Sequence, residues 1–111
     1  MIEVRRTEDR DPLAFEVIVR EGVGEARHRV TISRETCERL TGGKHTPERL
    51  VEAAFYFLLD REPKESILGR FDVTVIARYF PEFERELPKY LSGSAQTWRN
   101  RFASKSPRLR A

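Results

Sequence analysis

The chain has 111 residues, which is room for one domain of ordinary size and not for two. Charged residues make up 35% of it, above the usual quarter, while Leu, Ile, Val and Phe are about a quarter, enough to collapse a core, so a small, highly solvated globule that folds is expected. The net charge of +3 is unevenly placed, because residues 1–91 hold 16 basic against 18 acidic side chains whereas residues 92–111 hold five basic ones and no acid.

Taken in chain order, Leu13, Phe15, Val17 and Val19 alternate with Ala14, Glu16, Ile18 and Arg20, and Ala26, His28, Val30 and Ile32 alternate with Arg27, Arg29 and Thr31. Period-two patterning predicts two strands. Between them Glu21-Gly-Val-Gly-Glu25 supplies glycines for a hairpin loop. Ile2 and Val4, two apart before the breaker Asp9-Arg-Asp-Pro12, predict a third strand, and the three together predict an antiparallel meander.

After Ser33 the period becomes helical. Ser33 is an N-cap for a helix over Arg34–Thr41, with Cys37 and Leu40 on one side, and Gly42-Gly43 stops it in the left-handed region. Thr46 caps a second helix that opens on Pro47, where a missing N–H costs nothing, and carries Leu50, Val51, Ala54, Phe55, Leu58 and Leu59 at three- and four-residue spacing. Ala53–Leu59 is apolar nearly all round, so this helix is expected to be the pillar of the core. Pro63 ends it, and a turn over Lys64–Gly69 brings Ile67 and Leu68 back inward. The mixed-sign run Asp60-Arg-Glu-Pro-Lys-Glu65 reads as an exposed turn.

Phe71–Phe80 fits two periods. Phe71, Val73, Val75, Ala77 and Tyr79 alternate as a strand does, but Val73, Ile76, Ala77 and Phe80 follow helical spacing with Asp72 as cap and Pro81 as stop, and the helix is the reading chosen. A further short helix from Pro81 turns Phe83 and Leu87 inward and is expected to end near Pro88. From Ser92 a linker-like Ser-Gly-Ser leads into a segment where Ala95, Trp98 and Phe102 share one side of a two-turn helix, with Arg99 and Arg101 beside them.

A single cysteine, Cys37, excludes an internal disulfide and favours a reducing compartment. The charged start, Met1 to Asp11, lacks the apolar stretch of a signal, and the longest apolar run, Ala53–Leu59, is far too short to span a bilayer. A cytoplasmic protein with no membrane association is expected.

Motifs for chemistry are incomplete. Nucleophilic catalysis by Cys37 needs a base such as His28 or His45 within reach, and nothing in the spacing brings them together; Cys37 reads as a small buried hydrophobe. Two His and one Cys are too few ligands for a zinc site. His28 lies on the apolar parity of its strand and reads as a partly buried histidine at the sheet edge. Gly43-Lys-His-Thr46 departs from a phosphate-binding loop at positions 38 and 45, and reads as a C-cap followed by an N-cap; Gly22-Val-Gly24 is a hairpin loop. Glu82, Glu84 and Glu86 read as a solvated face. No catalytic residue, metal or cofactor follows from any of these patterns.

The words Phe57-Leu-Leu-Asp-Arg-Glu-Pro-Lys-Glu-Ser-Ile-Leu68 and Phe71-Asp-Val-Thr-Val-Ile-Ala-Arg-Tyr-Phe-Pro-Glu82 resemble those of a group of short bacterial proteins of unassigned function. The resemblance covers about a quarter of the chain and implies a small β-then-α domain; it brings no activity, so it assigns no site residue.

The expected fold is a single α+β domain over residues 1–91, with a two- or three-stranded antiparallel sheet followed by about four short helices on one sheet face, and a basic tail over residues 92–111, partly helical or disordered. The leading functional expectation is a non-catalytic binding or regulatory module. Its tail contacts nucleic acid or another acidic macromolecule, with Arg99, Arg101, Lys105, Arg108 and Arg110 on phosphates and Trp98 and Phe102 stacking on bases. A second is a protein-interaction or oligomerisation module, homodimer included, docking through an uncovered apolar strip that contains Phe71, Tyr79 or Phe83. An enzyme is the third, to be recognised by a deep pocket where His28 or His45 meets a carboxylate.

Overall fold

The computed structural model describes residues 1–92 and contains a four-stranded sheet with helices packed on one of its faces. The strands β1 (Ile2–Asp9), β2 (Leu13–Arg20) and β3 (Glu25–Ile32) form the expected antiparallel meander. Gly22 and Gly24 take φ of 70° and 78°, which only glycine adopts without strain in the tight β2–β3 connection. A register shift between Arg6 and Glu8 leaves Thr7 out of the β1–β2 ladder and bends the end of β1.

The helices α1 (Arg34–Thr41) and α2 (Pro47–Leu59) begin and end where the caps place them. The Ser33 hydroxyl accepts the Thr36 N–H at 3.0 Å and the Thr46 hydroxyl accepts the Arg49 N–H at 3.1 Å, each satisfying one of the four donors a helix start leaves unpaired. At the end of α1, Gly42 sits at φ 64° and its N–H meets the Glu38 carbonyl. The apolar circumference of α2 is used on both sides: Phe55 packs on His28 and Phe71 of the sheet, while Phe57 meets Phe80, Phe83 and Tyr90 on the opposite side. The core is therefore three layers deep around this helix, with Phe15, Phe55, Phe57, Phe83, Leu50 and Leu87 fully buried.

Three expectations are corrected. The sheet is mixed and not purely antiparallel, because a fourth strand, β4 (Arg70–Asp72), pairs parallel to β3 with Phe71 opposite Val30. A parallel neighbour requires a long crossover, and α1 and α2 supply it. The segment expected to be one helix from Asp72 to Phe80 is divided: β4 takes its first residues, a 3₁₀ turn spans Val73–Val75, and only Ile76–Tyr79 forms a helix, α3. Asp72 does cap the turn, accepting from the Thr74 N–H at 3.1 Å, but pairing with β3 captures the residues before it, so each competing period governs one part. Finally, α4 (Phe83–Ser92) continues through Pro88. An interior proline costs a helix on the order of 3 kcal/mol. Burial of Leu87, Tyr90 and Leu91 opposes that cost, and the Arg49 guanidinium donates to the Tyr90 and Leu91 carbonyls at 3.1 Å each, capping the helix end.

Candidate anion-binding site

Strand alternation sorts the sheet into two faces. Leu13, Phe15, Val17, Val19, Val30, Ile32 and Phe71 lie under the helices, while the opposite face carries the residues between them and is not covered by any described element. One end of this open face is a ladder of ion pairs. Arg5 meets Glu16 at 2.6 Å, Arg20 bridges Glu3 at 2.8 Å and Glu25 at 3.2 Å, and Arg27 reaches Glu16 at 3.3 Å and Glu25 at 3.2 Å. The Arg5 hydrogen bond holds the Glu16 carboxyl below its ordinary range.

The other end is different. Arg29 and Arg70 are direct neighbours on the parallel β3–β4 pair, and both are exposed. Together with Arg10 from the β1–β2 connection they line a depression of about 450 Å³ with Thr7 and Thr31. Among the described residues, nine of thirteen arginines are ion-paired; Arg10, Arg29, Arg70 and Arg78 are the four that are not, and three of these four share the depression. Like charges side by side on adjacent strands repel, so the arrangement is one that a bound anion relieves.

Three acids, Glu8, Asp11 and Asp72, also line this depression and match its arginines in formal charge, but none of them is ion-paired with Arg10, Arg29 or Arg70 among the described residues, and two accept from uncharged donors. Asp72 accepts from Thr31 Oγ1 at 2.7 Å and from Thr74, and Asp11 accepts from the Arg34 N–H at 3.1 Å. Glu8, on the exposed rim, is the remaining one.

The other candidates fall into structural roles. His28 is fully buried rather than partly so, and it lies inside the sheet rather than at its edge, since β4 follows alongside β3. Its Nδ1 donates to the Leu68 carbonyl at 2.7 Å, its Nε2 is buried without a partner among the described residues, and desolvation pushes its pKa below the ordinary 6.5. No carboxylate contact to it occurs among the described residues. Cys37 is buried on α1, where desolvation raises its thiol pKa, the opposite of an activated nucleophile. No group of metal-ligating side chains occurs among the described residues. Gly42 and Thr46 are the C-cap and N-cap that the Gly43-Lys-His-Thr46 reading requires.

The turn at 60–65 was expected to be exposed, and Lys64 overturns this. Its ammonium is buried beneath the β2–β3 loop and donates to the Glu21 and Val23 carbonyls at 2.8 and 3.2 Å, with Glu65 at 2.9 Å. Of the strip Phe71, Tyr79 and Phe83, only Tyr79 is exposed; the two phenylalanines are in the core. Trp98, Arg99, Arg101, Phe102, Lys105, Arg108 and Arg110 lie outside the described residues.

Arg10, Arg29 and Arg70 were not singled out from the sequence. Alternation does place Arg29 on the outward parity of β3, but its neighbour Arg70 is forty-one residues away and joins it only through parallel pairing. No helix among the described residues is long and apolar enough to cross a membrane. No protein-family model, no curated protein and no solved structure matches the chain.

Proposed function

We propose that the protein is a non-catalytic binding module whose partner is a nucleic acid. The observation that carries this reading is the gathering in one depression of three arginines that have no ion pair among the described residues, on a sheet face that no described element covers, a surface that offers phosphates planar hydrogen-bond donors. The segment 92–111 adds Arg99, Arg101, Lys105, Arg108 and Arg110 for further phosphates and Trp98 and Phe102 for bases, so a single strand is the favoured form.

Such a contact is mainly electrostatic and releases counterions. The test is fluorescence anisotropy of labelled single-stranded RNA and DNA across a salt series. Affinity is expected to fall steeply with salt, with a logarithmic slope no steeper than about −6 if all eight cations contact phosphate on a single strand. The double variant Arg29→Gln/Arg70→Gln and the double variant Arg99→Gln/Arg101→Gln are each expected to flatten the slope by about 1 to 2. Salt-insensitive binding, or affinity unmoved by both variants, overturns the reading.

A further inference from the structure

Four large apolar side chains are exposed among the described residues: Met1, Val23 at the tip of the β2–β3 loop, Leu68 and Tyr79. The last two stand on the same groove, a cleft of about 320 Å³ between the C-terminal end of α2, the segment 66–68 and α3, floored by Leu58, Ile67, Phe71 and Ile76. One charged side chain, Glu62, belongs to its described wall. The Glu62 carboxyl is half-buried, burial alone pushes its pKa up, and neither a cation nor a hydrogen-bond donor meets it among the described residues. An apolar slot of this size with a lone carboxylate on its wall is complementary to a large flat side chain that has a cation next to it.

Beyond residue 92 the chain carries that combination twice, in Trp98-Arg99 and in Arg101-Phe102, and the indole of Trp98 is the larger of the two flat side chains. The last carbonyls of α4 meet Arg49 in the first turn of α2, while its Tyr90 side chain extends toward the other end of that helix. The Tyr90 hydroxyl, on the last turn of α4, lies 3.4 Å from the guanidinium of Arg61, whose chain neighbour is Glu62. The six residues from Ser92 to Trp98 span up to about 20 Å when extended. We propose that the groove is the intramolecular seat of Trp98, with the Arg99 guanidinium on the Glu62 carboxylate. Docked there, both residues are withheld from nucleic acid, so a polyanion must compete with the groove for them; that consequence rests on the preceding reading, whereas the docking itself does not.

Trp98 is the single tryptophan, so its fluorescence reports the docking without a label. The experiment uses the full chain, free of nucleic acid, with a synthetic peptide of residues 93–111 as the reference. Acrylamide quenching of Trp98 is expected to be several-fold weaker in the protein than in the peptide, with the emission maximum shifted to the blue, and independent of protein concentration. Tyr79→Ser and Glu62→Lys each alter a side chain outside the packed core and are expected to move quenching back toward the peptide value, while far-UV circular dichroism stays that of the parent. Quenching equal to that of the peptide overturns the proposal and leaves the groove to a foreign partner. Protection unchanged in both variants overturns it, as does protection that appears only as concentration rises, which assigns the groove to a second copy. A protein that fails to bind RNA or DNA by anisotropy but protects Trp98 refutes the proposed function and leaves this inference standing.

Discussion

Arg27 and Arg29 are two residues apart on one strand, point from the same face and are both exposed, yet they stand in opposite electrostatic surroundings. Arg27 has Glu16 and Glu25 within 3.3 Å, while Arg29 has Arg70 beside it and no carboxylate partner among the described residues. Identity and exposure do not distinguish them. Their neighbours do, and the neighbours are set by which strand lies alongside. The ladder end of the sheet face pairs its charges directly, whereas the arginines at the β4 end form no ion pair among the described residues.

The largest effects are expected away from this face, in the layer beneath it. Phe57→Ala removes a fully buried ring that meets Phe80, Phe83 and Tyr90 and supports the Arg61 guanidinium 3.7 Å from its centroid; a loss of about 3 to 5 kcal/mol by urea denaturation is expected. A loss below about 1 kcal/mol would show that α2 is not the pillar its burial implies. Next comes Lys64→Ala, which leaves the Glu21 and Val23 carbonyls without their shared donor; a loss of about 1 to 3 kcal/mol is expected, with an unchanged denaturant slope.

A pH dependence separates the buried histidine from the ion-paired carboxylates. The folded pKa of His28 lies below 6.5, so the unfolded chain takes up the proton first, and stability falls as pH drops below about 6.5 toward the folded value. Asp9, Glu16, Glu48, Glu82 and Glu86, held low chiefly by hydrogen bonds, lose their contribution only near and below the ordinary carboxylate range. Urea titrations of the parent and of His28→Gln, compared between pH 7 and the onset of carboxylate protonation, read the first window alone; equal slopes in the two proteins would remove the assignment to His28.

The smallest stability changes sharpen the opening comparison most. Arg27→Gln is expected to cost a few tenths of a kcal/mol and to leave RNA affinity nearly unchanged, as an exposed ion pair implies. Arg29→Gln is expected to leave stability within about 0.5 kcal/mol of the parent while weakening RNA binding at low salt by about tenfold. Equal effects of the two substitutions on affinity would mean that the depression is not a distinct site.

Much of the local structure was legible from residues close in sequence. The alternation over 13–20 and 26–32, the caps Ser33 and Thr46, the breaker glycines after α1 and the apolar circumference of α2 all depend on interactions within a few residues and stand in the structure as read, while Asp72 caps a 3₁₀ turn in place of the expected helix. The burial of Lys64 was not legible, because its partners are carbonyls of a loop more than forty residues earlier. The continuation of α4 through Pro88 was not legible either: it is decided by packing of Tyr90 and Leu91 and by the reach of Arg49 from another helix.

What the sequence determined alone is therefore the first three strands, the helices α1 and α2, their faces and the placement of surplus positive charge after residue 91, since periodicity, capping and composition act locally. What only the tertiary structure decided is the parallel docking of β4 on β3, and with it the meeting of Arg29 and Arg70, the enclosure of His28 and the groove beneath Tyr79. Those depend on long-range pairing, which short-range patterns do not encode: the Arg70–Asp72 stretch has the same alternation whether it continues into a helix or adds a strand, and only the exposed hydrogen-bonding edge of β3 selects between them.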